Sequence, residues 1–184
     1  MEESKALKGV MTDVKVEAKE EEGLRVIDIS HEKIHDGAAF AFLCEKTGLA
    51  SGSTCWIAFL TNSAKNIHFR PAMLFSTASL AVAKLYEEPT ITPATGLVVN
   101  TYNHFRPDAL SKVSDVVVTL EPTILTEGAR LPLTVFAGVG GGKETRTGGL
   151  GGAEDEWVLK PDTLYGIKIE NIGDASTNLT ITPF

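Results

Sequence analysis

Leu164–Asn171 reads LYGIKIEN, with Tyr165, Ile167 and Ile169 on one parity and Gly166, Lys168 and Glu170 on the other. Successive side chains of a β-strand point to opposite faces, so this stretch is a strand with one apolar and one wet side. NLTITPF (178–184) repeats the pattern, setting Leu179 and Ile181 against Thr180 and Thr182. No segment after residue 24 sustains the three-to-four-residue apolar spacing of a helix.

Outward from these two stretches, the chain is a succession of short apolar runs: LRVIDI, AAFAFLC, TCWIAFLT, NIHFRPAMLF, LAVAKLY, SDVVVTL, LPLTVFA and EWVL. Between them lie TGLASGS, EEPTITPATG, NHFRPD, TEGAR and KPD, rich in the residues that turns require. Strands at a spacing of roughly ten residues indicate an all-β, antiparallel β-sandwich of about eight to ten strands over residues 24–184. TCWIAFL and SDVVVTL are continuously apolar, which places them centrally or on an inter-subunit surface.

Residues 1–23 differ in kind. They hold seven acids, four lysines and no aromatic residue, so they bury little surface and read as an extended N-terminal arm, flexible or docked on a partner. Across the 184 residues 43% are hydrophobic, 22% are charged and the net charge is -7. With no cluster of Lys and Arg, that balance argues against nucleic acid as a partner. No apolar run approaches the roughly 20 residues that span a bilayer, and MEESKALKGVM lacks the apolar stretch of a secretory signal. The expectation is a soluble protein, made in a cytoplasm, with no membrane partner. Cys44 and Cys55 each sit in an apolar run, outside any CxxC pair; buried free thiols are expected there rather than a disulfide or a zinc site.

Several motifs carry catalytic vocabulary. HEKIH (His31–His35) matches HExxH, in which two histidines one helical turn apart hold zinc and the glutamate acts as general base. Here Lys33 takes an inner place, Asp36 and Gly37 follow, and strand-like sequence flanks both sides. On an extended backbone the two histidines would stand about 13 Å apart and could not share a metal. The other histidines, His68 and His104, fall in separate β segments, so no metal site is expected. Eight of the seventeen glycines lie between Gly138 and Gly152, where GGGKET resembles a phosphate-binding loop. Ala137 and Glu144 occupy the positions where that loop needs Gly and Ser or Thr, so a long loop between strands is expected, without a nucleotide cofactor. EDE (Glu154–Glu156) reads as a solvated approach to a strand rather than a calcium site, and NHFRPD as a turn pinned by Pro107. There is no GxSxG nucleophile motif, and no catalytic residue is assigned.

Taken in order, HEKIHDGAAF, IHF, LYEEPTITPATG, NTYNHFRPD, the glycine-rich tract and EWVLKPDTLYGIKIENIG resemble the jelly-roll capsid decoration proteins of tailed bacteriophages, also called cement or head-stabilising proteins. The resemblance covers most of residues 24–184. It implies a jelly-roll-like β-sandwich and a structural, non-enzymatic virion protein. Such a protein would bind the major capsid protein on the outer surface of the assembled capsid as a homo-oligomer, dimer or trimer, and tie neighbouring capsomers together. The alternative is a receptor- or carbohydrate-binding β-sandwich module of a phage fibre. That reading needs exposed aromatic rings, and with Trp56 inside an apolar strand it rests on Trp157.

Overall fold

The computed structural model describes residues 14–19, 23–28, 34, 36, 38–61, 66–70, 73–76, 78–92, 94–104, 114–139, 145–146 and 157–182. The chain divides into two compact units: Met1–Ala39 with His104–Lys112, and Phe40–Asn103 with Val113–Phe184. In the first, β1 (Val14–Lys19) and β2 (Gly23–Asp28) form an antiparallel hairpin, with Val14 opposite Asp28 and Lys19 opposite Gly23. Part of the stretch read as an arm is therefore the strand partner of LRVIDI. Residues 1–13 and 20–22 lie outside the described residues.

The second unit is all-β and antiparallel. Its strands are β3 (Phe40–Phe42), β4 (Cys44–Leu49), β5 (Thr54–Thr61), β6 (Ile67–Phe69), β7 (Met73–Ser76), β8 (Ala81–Glu87), β9 (Thr90–Ile91) and β10 (Leu97–Val99). There follow β11 (Thr101–Asn103), β12 (Val116–Leu120), β13 (Ile124–Thr126), β14 (Ala129–Val139), β15 (Thr145–Arg146), β16 (Trp157–Leu159), β17 (Thr163–Asn171) and β18 (Thr177–Thr182). A seven-stranded sheet runs β10-β12-β5-β17-β8-β14-β15, and a three-stranded sheet runs β4-β18-β7. Short two-stranded ladders join β11 to β3, β13 to β9 and β16 to β6. Apart from β14 and β15, no neighbours in the large sheet are consecutive in the chain. That connectivity arises when successive strands pass between sheets, as in Greek-key sandwiches.

One apolar cluster joins the sheets. Cys55, Ile57 and Phe59 of β5, Leu85 of β8, Val118 of β12, Val135 of β14 and Ile167 and Ile169 of β17 pack with Cys44 of β4 and Leu179 and Ile181 of β18. Burial of each Leu or Ile side chain here contributes about 1.5–3 kcal/mol. Phe59 stacks on both Phe69, at 5.1 Å between ring centres, and Tyr165, at 5.7 Å. Cys44 and Cys55 are buried and free.

The expected β-sandwich is what forms, with more and shorter strands than the sequence suggested. NIHFRPAMLF, read as one strand, is two: β6 pairs with β16 and β7 with β18. Pro71 lies between them in the sequence and has no N–H to offer a ladder. AAFAFLC likewise separates at Leu43 into β3 and β4. The latter runs through sequence read as a turn as far as Leu49, because its pairing with β18 absorbs a register shift between Thr177 and Leu179. Thr90–Ile91, inside a stretch read as loop, pairs with Ile124–Thr126. TCWIAFLT is indeed central, lying between β12 and β17, whereas SDVVVTL lies one strand in from the sheet edge.

Candidate functional site

The core-facing residues of the large sheet define its other face by parity. Ala81 of β8, Ala137 of β14 and Asn171 of β17 stand opposite one another and are buried. Their chain neighbours Leu80, Phe136 and Ile172 therefore turn outward. The ladder continues past the strand ends, with Ile172 N–H donating to the Leu80 carbonyl at 2.9 Å. Leu80 is 44% exposed, Ile172 51% and Phe136 57%. Three large apolar side chains from three adjacent strands thus meet water near one end of the sheet, Leu80 level with Ile172 and Phe136 diagonal to Leu80, opposite Val82.

Behind them the same face carries charge in register. Glu170 stands opposite Val82, which stands opposite Phe136; in the next row Trp56, Lys168, Lys84 and Thr134 follow one another across four strands. Lys84 pairs with Glu170. Lys168 pairs with Glu170 at 3.2 Å and with Glu127, from the turn before β14, at 2.6 Å. Its ammonium also lies 5.9 Å from the centre of the Trp56 ring. The bond from Lys84, then that from Lys168, holds the Glu170 carboxyl below the usual carboxylate range, while the bond from Glu127 and then that from Glu170 raise Lys168. Pairs this accessible contribute at most about 1 kcal/mol each. Their larger effect is that two cations meet two carboxylates, so the charge beside the apolar group cancels locally.

Trp56 and Tyr86 close the far end of the face, their rings 5.3 Å apart. Both are buried although both point away from the main core. Gly166 makes this possible: a Cβ there would lie 2.9 Å from Trp56 Cζ3 and 3.2 Å from Pro89 Cγ. The indole packs against β17 at Gly166, where a side chain would hold it off.

The motifs singled out in the sequence do not converge on this face. Of HEKIH only Ile34 is described, in helical backbone; His31 and His35 lie outside the described residues, as do Glu154–Glu156, Pro107 and most of the glycine-rich tract. From that tract Gly138 and Val139 pair with Arg146 and Thr145, so it begins and rejoins the sheet as the β14–β15 connection. His68 is exposed on β6, and His104 donates its N–H to the Ala39 carbonyl at 3.0 Å within the first unit. Trp157 packs against the core. Among the described residues no group of three or more His, Cys, Asp and Glu side chains is placed to hold a metal, and no helix is long and apolar enough to cross a membrane.

Leu80, Phe136 and Ile172 were missed because each is unremarked in its own segment. The available signal was an apolar residue on the wet parity of an alternating strand, as with Ile172 after Gly166, Lys168 and Glu170. Comparison with protein-family models, with curated proteins and with solved structures finds no match to this chain.

Proposed function

We propose that this is a structural binding protein of a tailed-phage head, which docks on assembled major capsid protein and ties neighbouring capsomers together from outside. The observation that carries the reading is the exposed apolar group Leu80, Phe136 and Ile172 on one sheet face, bordered by charges that neutralise one another. An apolar centre with a polar rim is the anatomy of a protein-binding surface. Phe136, the aromatic and most exposed member of the group, has the character of an interface anchor. The succession of motifs that resembles the capsid decoration proteins supplies the partner class, and the net charge of -7 directs the protein away from the packaged nucleic acid. In this role the protein is made in the host cytoplasm, resides on the outer capsid surface, self-associates and needs no cofactor. Its mechanism is linkage: a ligand that binds only the assembled shell stabilises that shell, and many copies sum. The fibre alternative loses its platform, since Trp157 packs against the core.

Co-sedimentation with assembled, DNA-free heads of the source phage tests this. Wild-type protein is expected to pellet with heads to a saturable stoichiometry, and Phe136→Asp to stay in the supernatant while keeping its thermal transition. No sedimentation of the wild type would end the capsid reading; undiminished binding by Phe136→Asp would end the assignment of this face.

A further inference from the structure

The opposite margin of the large sheet carries a second feature, independent of the outer-face patch. β10 is the terminal strand, and among the described residues no further strand pairs with it. Leu97 and Val98 are 67% and 69% exposed, and Val117, beside them on β12, is 48% exposed. Edge strands are ordinarily protected by a lysine, a proline or a bulge. Here the fourteen residues Thr90–Asn103 contain no Asp, Glu, Lys, Arg or His, Pro93 precedes the strand by four residues, and the β10–β12 register is continuous.

The strand is also held firmly at its start. Gly96 has φ +85°, and a Cβ on it would lie 2.6 Å from the Leu120 carbonyl oxygen, so the backbone turns tightly into β10 against β12. Just before it, the Thr95 hydroxyl donates to the Thr92 carbonyl at 2.8 Å and accepts the Thr123 N–H at 2.9 Å. An edge positioned in this way presents its outward N–H and C=O groups with little ordering left to do.

From this edge we infer that the protein forms a twofold homodimer in which β10 pairs antiparallel with β10 of a second copy, joining the two large sheets into one. Three features select a second copy as the occupant. An antiparallel edge is its own complement, so one surface serves both sides of a twofold contact. Two chains that each carry a charge of -7 approach most readily where neither bears a charge, and a basic partner would be drawn elsewhere. The side chains also match. With Val98 on the axis, Leu97 of each copy lies opposite Val99 of the other. Val99 already packs against the core and Leu97 shares its side of the sheet, so the seam extends the core layer from one copy into the next. On the opposite side Val98 meets its own counterpart, flanked by the two Val117 side chains.

This inference concerns self-association alone and stands whether or not the chain binds a capsid. Light scattering on the full-length protein should give twice the 19.7 kDa chain mass. Val98→Lys, which sets two ammonium groups face to face at the axis of an exposed position, should give the single-chain mass with an unchanged thermal transition. Val98→Cys should oxidise to a covalent dimer on a non-reducing gel, whereas Val158→Cys, exposed elsewhere, should not; buried Cys44 and Cys55 supply no competing thiol. A single-chain or trimeric mass for the wild type would overturn the inference. So would a dimer that survives Val98→Lys, or a Val98→Cys protein that forms no more covalent dimer than Val158→Cys.

Discussion

Tyr165 Oη donates a 2.9 Å hydrogen bond to Glu87 Oε2, and the two residues stand directly opposite each other where β17 meets β8. Lys160 closes the arrangement from the preceding turn: its N–H donates to the Tyr165 oxygen at 3.1 Å and its ammonium reaches Glu87 Oε1 at 2.7 Å. The turn bears Asp162 in the left-handed region, φ 48°. One buried phenol thus ties that turn to the centre of the large sheet.

Tyr165→Phe keeps the ring stacked on Phe59 and removes only the hydroxyl. The Lys160 N–H then loses its acceptor and Glu87 a donor, and the expected cost is about 1–2 kcal/mol. Urea unfolding should show a lower midpoint with an unchanged slope; an equal midpoint would mean that the hydroxyl contributes nothing net.

Acid should weaken the fold through the same group. The bond from Lys160, and then that from Tyr165, lowers the Glu87 pKa in the folded protein from an ordinary value of 4.5. A carboxyl depressed on folding stabilises above its unfolded pKa and loses that contribution as pH falls through the folded one. Stability is therefore expected to drop below about pH 4.5, with Glu170 acting in the same sense. Glu87→Gln should be less stable at neutral pH and flatter through the acid range; parallel curves for the two proteins would refute the assignment.

Gly166→Ala tests the close approach of Trp56 to β17. A Cβ 2.9 Å from the indole forces the ring to move, at an expected cost of about 1–3 kcal/mol. The Trp56 emission should shift red as the ring lifts toward solvent. An alanine variant with wild-type stability and spectrum would show that the indole has room to spare.

The thiols should be silent in the native protein. Burial raises both Cys44 and Cys55 to about 12, leaving almost no thiolate at pH 8. Labelling by a disulfide reagent should follow global unfolding, with its rate falling as stabilising osmolyte is added. Rapid labelling of either cysteine in the folded state would contradict the burial.

Much of this architecture is legible in single segments. YGIKIEN alternates in sequence and in space, with Tyr165, Ile167 and Ile169 in the core. The unbroken apolarity of TCWIAFLT matches a strand buried on both faces, with Ile57 in the main core and Trp56 packed against Tyr86 on the other side. What was not legible depends on pairing at a distance. β10 and β13 are three residues long, below the length at which periodicity speaks, and each is a strand only because Val118 or Ile91 lies beside it. The candidate site is illegible for the same reason: Leu80, Phe136 and Ile172 are far apart in the chain and become neighbours only through the register of β17, β8 and β14.

The ion pairs around Lys168 have a consequence for how any partner would be held. Lys84, Lys168, Glu127 and Glu170 cancel among themselves, so these four groups add no net charge to the outer face. Added salt screens long-range attraction between exposed charges, and this face has little of it to lose. A complex made through Phe136 should therefore keep its affinity as ionic strength rises, since the apolar contact persists, and a titration of binding against salt concentration checks this.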